Sequence, residues 1–217
     1  MLDRRSIEEV AGALATNEGL VEKDWHVVRA LAIIAAIRDD GVTPIFSGGT
    51  SLAKGWGLIK RFSEDIDFKA ITSGIDTRAT RGAYRTRVFE ALIKAGFTLV
   101  DKPIIGNESG FFDARFAYDT LFPTGPGQRP HLRIQFNFRA PARDPMARPL
   151  QSLICRANRQ PPEVEGFPCV DPIETAADKL SALGWRVLAR NRSDPDDDPT
   201  IIRHLHDLAA LETHITP

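Results

Sequence analysis

Ser47-Gly48-Gly49-Thr50-Ser51-Leu52, followed by Ser63-Glu64-Asp65-Ile66-Asp67-Phe68, decides the reading of this 217-residue chain. The first segment reads as a strand end, a glycine turn and a helix start. The second reads as a strand carrying two carboxylates two residues apart. Alternate strand residues point to one side, so Asp65 and Asp67 project together while Ile66 and Phe68 face a core. Their Cα atoms would lie roughly 6.7 Å apart. Two like charges at that spacing repel by about 0.6 kcal/mol in water and about 2.5 kcal/mol at an effective dielectric of 20. A divalent cation reverses the sign of that interaction. The paired glycines let backbone N–H groups approach an anion at a helix start, where the dipole also favours negative charge.

Order and spacing join the two halves. Fifteen residues, 50 to 64, separate Gly49 from Asp65, enough for one short helix and a return. Pro44-Ile45-Phe46 precedes the glycines, and Ile66 and Phe68 flank the second aspartate, so both halves sit on apolar strands. A phosphate cradle facing a carboxylate pair that can hold Mg²⁺ or Mn²⁺ is what nucleotidyl transfer from a nucleoside triphosphate requires.

The pair of segments resembles the nucleotidyltransferase superfamily signature. More closely, the chain is similar to the AbiEii/AbiGii-type nucleotidyltransferase toxins of type IV toxin–antitoxin systems. Four pieces carry the resemblance: Val21-Glu22-Lys23-Asp24-Trp25; Gly48 to Leu52; Arg61-Phe62-Ser63-Glu64-Asp65-Ile66-Asp67-Phe68; and a C-terminal pair. That pair is Glu174 with Ala177-Asp178-Lys179-Leu180, and Arg203-His204-Leu205-His206-Asp207-Leu208. The resemblance implies a catalytic set of Asp65, Asp67, Lys179 and Asp207, with the metal on Asp65 and Asp67. It implies nucleotide binding by Gly48, Gly49, Thr50, Ser51 and Ser63. It also implies an RNA acceptor, a tRNA 3′ end foremost, and an antitoxin partner. From spacing alone, Lys179 and Asp207 stay open between an active-site role and ordinary pairing on a helix surface. At His204, where the family pattern Arg-Asp-x-x-Asp leads one to expect an acid, this chain departs from it.

A third carboxylate on a following strand is the second departure. Arg133-Ile134-Gln135-Phe136 is its natural place, and Gln135 brings an amide oxygen without charge. Asp113 on a neighbouring strand could substitute. The glutamine keeps a non-catalytic nucleotide-binding regulator in view, and a protein-AMPylating enzyme would use the same metal chemistry on a hydroxyl side chain.

Composition fits a globular protein with one sizeable core: 42% of residues are hydrophobic and the net charge is −1. The longest apolar run, Ala30 to Ile37, is too short to span a bilayer. The first nine residues lack the apolar centre of a signal peptide, and a cytoplasmic setting is expected. Cys155 and Cys169 stand in no metal-binding or redox spacing and read as two reduced thiols. Between Gln128 and Arg159, seven arginines (129, 133, 139, 143, 148, 156, 159) face one acid, Asp144. Such an excess can track an RNA backbone or simply solvate loops and strand edges.

Periodicity predicts helices over Ser6–Ala15, Glu22–Asp39, Ser51–Ile59 and Thr77–Ala95. Strands are expected at Thr43–Phe46, Asp65–Lys69, Phe97–Val100, Phe111–Tyr118 and His131–Phe138, with a last one near Leu150–Arg156. Pro44 belongs at a strand start or an unpaired position. Asp171-Pro172-Ile173-Glu174 is a helix start, with the helix running to about Arg190. The polar stretch Asn191–Pro199 reads as a linker, with Asp198-Pro199 capping a last helix that ends near Glu212. The fold class is α/β (α+β), a nucleotidyltransferase-like mixed sheet flanked by helices. Its expected division is an α/β core with N-terminal helices over residues 1–160 and a helical C-terminal part over 161–217 packing on the cleft.

Overall fold

The computed structural model describes residues 2–37, 41–74, 76–125, 128–189 and 202–215. A mixed eight-stranded sheet runs through its centre. The strands are β1 (Val42–Ser47), β2 (Asp65–Thr72), β3 (Thr98–Leu99), β4 (Ile104–Gly106), β5 (Phe111–Ala117), β6 (Leu132–Asn137), β7 (Met146–Leu150) and β8 (Val164–Cys169). Their spatial order is β3-β5-β6-β2-β1-β8-β7, with β4 pairing β5 beyond the end of β3. β2 pairs β1 antiparallel and β6 parallel, which puts the strand with the two aspartates in the interior of the sheet.

The register is set by phenylalanines. Phe46, Phe68, Phe136 and Phe112 are directly opposed across β1, β2, β6 and β5. Their ring centroids lie 5.8, 4.4 and 4.7 Å apart along that row. The helices α2 (Glu18–Ala36) and α4 (Arg78–Lys94) cover this face with Val27, Leu31, Ile34, Tyr84, Val88 and Leu92. One residue further along each strand, Ser47, Asp67, Gln135 and Asp113 form a second opposed row. Because side chains alternate, that polar row lies on the other face of the sheet.

The remaining helices are α1 (Arg4–Leu14), α3 (Gly48–Lys54), α5 (Leu153–Ala157), α6 (Pro172–Ala189) and α7 (Ile202–Ile215). Lys69, on the same face of β2 as both aspartates, pairs with Glu174 at 2.6 Å and Asp178 at 2.7 Å and so docks α6 over the polar face. Leu211 of α7 packs fully buried against Leu52, Ile59 and Ala176, which fixes α7 to α3 and α6.

The mixed α/β architecture and most elements agree with the sequence reading, and the differences have local causes. No strand forms at Leu150–Arg156: β7 ends at Leu150, and Ser152 caps α5 by accepting the Cys155 N–H at 3.0 Å. β8 forms where propensity predicts no strand, since Gly166 and Pro168 interrupt it; it meets β1 at a single residue pair, Phe46 and Cys169. This last strand of the sheet follows residue 160. The helix expected over Ser51–Ile59 is shorter and starts earlier, at Gly48, and it stops at Lys54 before Gly55. Pro44 is third in β1, two residues ahead of the contact with β8. Glu174 does not close a capping box; it accepts from the Ala142 and Arg143 amides at 2.9 Å each and from Lys69. Both cysteines are free and buried. Asp39, Arg190 and the Asn191–Pro199 stretch lie outside the described residues.

A run of three charged residues in α2 is buried, and each member ties down a distant segment. Glu22 accepts the amides of Leu121 at 2.7 Å and Phe122 at 3.1 Å. Asp24 accepts the Leu153 amide at 2.7 Å and pairs with Lys54. Lys23 pairs with Glu64, next to Asp65, and donates to the Arg129 carbonyl at 2.6 Å. Burial pushes the Lys23 ammonium below its ordinary range, against the pull of Glu64. Lys23→Ala strands the Glu64 carboxylate in the interior and is expected to lower unfolding free energy by about 3–5 kcal/mol in urea denaturation. Lys23→Met combined with Glu64→Leu, which removes both charges, recovers most of that loss.

Candidate active site

A cleft of about 410 Å³ opens over the polar face of the sheet, lined by Gly49, Arg61, Ser63, Asp65, Asp67, Arg129, Arg133, Gln135, Lys179, Arg186, Arg203 and His204. Two sequence segments build its floor. β1 ends at Ser47 and α3 begins at Gly48, whose φ of +74° is a conformation that favours glycine. The Asp67 carboxylate lies where a Cβ on Gly48 would stand: its Oδ2 would be 2.3 Å away. A Cβ on Gly49 would meet Arg61 Nη2 at 2.9 Å and Ser63 Oγ at 3.0 Å. Both glycines are thus required by close approach, one to the carboxylate and one to the loop that leads into β2.

The Thr50 hydroxyl behind the turn serves the fold. Thr50 is buried and donates to the Asp65 carbonyl, which locks the start of β2 to α3. Ser51 is fully buried. Neither lines the cleft, whereas Gly49 and Ser63 do. Of the residues read as phosphate-binding, Gly49 and Ser63 line the cleft, and Gly48 lies behind the Asp67 carboxylate.

Asp65 and Asp67 come together as the strand alternation requires. Asp65 Oδ1 receives Arg129 Nη1 at 2.8 Å. Burial and the neighbouring Asp65 charge push the Asp67 carboxyl up to about 7. A pair of carboxylates whose second ionisation is opposed in this way fits one divalent cation, which would relieve both causes at once. Gln135 stands beside Asp67 in register and donates Nε2 to Asp113 Oδ2 at 3.2 Å, leaving its amide oxygen as the group available to a cleft ligand. Asp113 lies in the same row but is taken by Arg133, with Nε at 3.0 Å and Nη2 at 2.6 Å from Oδ2. Among the described residues no cluster of three or more histidine, cysteine or acidic side chains forms a closed metal cage. The set is an open, two-carboxylate one.

The far wall comes from α6 and α7. Asp207 is fully buried and receives Arg61 through Nε at 2.6 Å and Nη2 at 2.5 Å, together with Lys179 Nζ at 2.8 Å. Burial opposes its ionisation, but Arg61 and Lys179 outweigh that cost and hold the carboxyl below its usual range. Asp207 and Leu211 are one helical turn apart, so the contact that packs α7 on α3 also sets Asp207 behind the cleft wall. Lys179 and Asp207 therefore form one unit, with Lys179 at the cleft surface and Asp207 behind it. His204 lines the cleft with its Nε2 3.3 Å from Arg186 Nη1.

Six cationic side chains (Arg61, Arg129, Arg133, Lys179, Arg186 and Arg203) thus surround two carboxylates. Most of these arginines are not marked as site residues by the sequence alone. Arg133 could have been found from its alternation with Gln135 on β6, and Arg61 from its place in the motif before Asp65. Arg129 is marked only as part of the seven-arginine stretch and Arg186 by nothing local, since tertiary packing alone brings them to the cleft. Of the seven-arginine stretch, Arg129 and Arg133 line this cleft, Arg143 pairs with Asp171, and Arg148 donates to the Gly55 carbonyl. Arg139, Arg156 and Arg159 are exposed.

Comparison with known proteins places this geometry. The family model described as the nucleotidyl transferase AbiEii toxin of type IV toxin–antitoxin systems matches residues 29–216. Among solved structures, MenT4, a nucleotidyltransferase toxin from Mycobacterium tuberculosis H37Rv, superposes with a TM-score of 0.53 at 22% identity. That match covers 82% of this chain and 58% of MenT4, so the chain spans little more than half of that protein's length. Cid1, solved in complex with its short product ApU, matches at a TM-score of 0.32 and 13% identity over 83% of this chain and 47% of its own. No curated protein sequence matches the chain.

The raised Asp67 carboxyl gives a signed pH dependence. The fold favours its protonated form, so the metal-free protein loses stability as pH rises from the ordinary 3.8 towards 7 and levels off above. Asp67→Asn is expected to be more stable than wild type at pH 8 by roughly 2 kcal/mol, with little difference at pH 4. In the same buffers, Mn²⁺ affinity of the wild type should fall about tenfold per unit once pH drops below 7. Calorimetry across that range reads both.

Proposed function

Since the chain belongs to the AbiEii family of nucleotidyl transferase toxins of type IV toxin–antitoxin systems, we propose that its cleft moves a nucleotide from a nucleoside triphosphate to an acceptor hydroxyl of RNA. A tRNA 3′ end is the acceptor proposed, a cytoplasmic setting is proposed with it, and an antitoxin is the expected protein partner. Among the described residues no helix is long and apolar enough to cross a membrane. The observation that carries the reading is the meeting, in one cleft, of an acid pair on β2, a glycine turn and six cationic side chains.

In the reaction, the acceptor oxygen bonds to the α-phosphorus as the bond to the bridging oxygen of pyrophosphate breaks, and the hydroxyl proton is released. Asp65 and Asp67 would hold Mg²⁺ or Mn²⁺, which when bound polarises the α-phosphate and neutralises developing charge. Backbone groups at Gly48 and Gly49, with Ser63, receive the β- and γ-phosphates. Lys179 supplies a compact positive charge, and Asp207 keeps it extended towards the ligand. Gln135 contributes no charge, so a second cation would be held chiefly by the nucleotide's own phosphates.

Incubation with Mg²⁺, total tRNA and each of the four α-labelled triphosphates tests the reading. Label is expected in RNA with the wild type, reduced by about a hundred- to thousandfold in Asp65→Ala and Asp67→Ala while both stay folded. Full transfer by those variants sinks the proposal, and label in protein instead of RNA replaces the acceptor by a hydroxyl side chain. If the exposed arginines follow the RNA backbone, Arg139→Glu with Arg159→Glu should flatten the salt dependence of RNA binding by about one to two units of log–log slope.

A further inference from the structure

Resting on the reading of the cleft as a metal- and triphosphate-binding site, we propose that Arg129 is an exchangeable counter-ion. Its guanidinium neutralises Asp65 while the cleft holds no cation, and it moves to the nucleotide's phosphates once Asp65 is given over to a divalent ion. The backbone of Arg129 cannot follow. Its carbonyl accepts Lys23 Nζ at 2.6 Å and its N–H donates to Glu64 Oε2 at 3.2 Å, both partners being buried. Only the side chain is free to turn about this fixed point.

The two other cleft arginines that grip carboxylates are tied differently. Arg61 grips the fully buried Asp207 through two nitrogens, and Arg133 grips Asp113, whose side chain is 5% exposed. Swinging either away would strand a buried carboxylate. The Arg129 and Asp65 side chains are 39% and 29% exposed and meet through one contact of 2.8 Å. A pair that open to solvent is weak, and breaking it leaves a carboxylate that a cation can take at once. After release, the nearest fixed acid is Glu64, with Oε1 4.0 Å from Nε, and Lys23 already satisfies that carboxylate. The freed planar fork stands beside the carboxylate pair and matches the spacing of phosphate oxygens.

The full chain and its Arg129→Gln, Arg129→Lys and Asp65→Asn variants are titrated with Mn²⁺ alone, followed by electron paramagnetic resonance of the free ion. They are then titrated with magnesium tripolyphosphate by calorimetry, a probe that needs no knowledge of the base. Arg129→Gln is expected to bind Mn²⁺ about two- to fivefold more tightly and tripolyphosphate about tenfold more weakly, with Arg129→Lys near wild type for the metal and intermediate for the polyphosphate. A structural defect would weaken both ligands together, and that outcome overturns the exchange. An Asp65-dependent Mn²⁺ site whose affinity is unchanged in Arg129→Gln also overturns it while leaving the metal site intact. Equal Mn²⁺ affinity in wild type and Asp65→Asn removes the metal site itself, and the role of Arg129 with it.

Discussion

The opposition of Phe46, Phe68, Phe136 and Phe112 across four strands is the constraint on which the rest depends. Sheet register is discrete, and a slip of one residue turns every side chain to the other face. Sliding β2 by one position would bury Asp67 under α2 and α4 and expose Phe68, exchanging aromatic burial for a carboxylate without a partner. The apolar row therefore fixes the polar one. Ser47, Asp67, Gln135 and Asp113 are neighbours because the phenylalanines one residue away have no other way to stack. Site geometry here is a by-product of core packing, with a precision no loop would supply.

Onto that frame the chain adds buried charge in a recurring arrangement: a carboxylate or ammonium inside the protein that reaches a segment remote in sequence. Lys23 reaches Glu64 and Arg129, Lys69 reaches Glu174, and Asp207 reaches Arg61 and Lys179. Buried pairs of this kind add little net stability over apolar replacements, yet breaking one member is expensive. Their effect is positional. The first holds the loop entering β2, the second sets α6 over the polar face, and the third draws α7 towards the mouth of the cleft.

This division explains what the sequence disclosed. The glycine turn, the acid pair and their fifteen-residue separation are local patterns, so the centre of the fold and half of the site were readable from them. The start of α6 was readable for the same reason, since Asp171 accepts the Ile173 amide at 2.7 Å as a capping aspartate does. β8 was hidden because Gly166 and Pro168 are strand breakers by propensity, and only its place between β1 and β7 overrides them. α5 is not legible as a helix because five residues of Leu-Ile-Cys-Arg-Ala carry no helical period, and the Ser152 cap decides the matter. The resemblance implies Thr50 and Ser51 as nucleotide ligands beside the glycines. Whether a hydroxyl faces the ligand or the strand behind it depends on how α3 lies on β2, which no spacing encodes.

The electrostatics of the cleft follow from the same distinction between what is fixed and what is not. A net charge of −1 gives no overall field to attract a polyanion, but the field that matters is local. Six cations converge on a volume of about 410 Å³ that contains two carboxylates, and behind it Asp113 and Asp207 partly offset the arginines that hold them. Arg61, Arg133 and Lys179 have directions already set by buried carboxylates, so an anion bound to them would cost little further ordering entropy. The carboxylates on β2 are arranged the opposite way: close to each other, opposed in ionisation, and met by one half-exposed arginine. One wall of the cleft is thus preorganised by buried ion pairs, while the acid pair opposite keeps one carboxyl raised by burial and by its neighbour's charge.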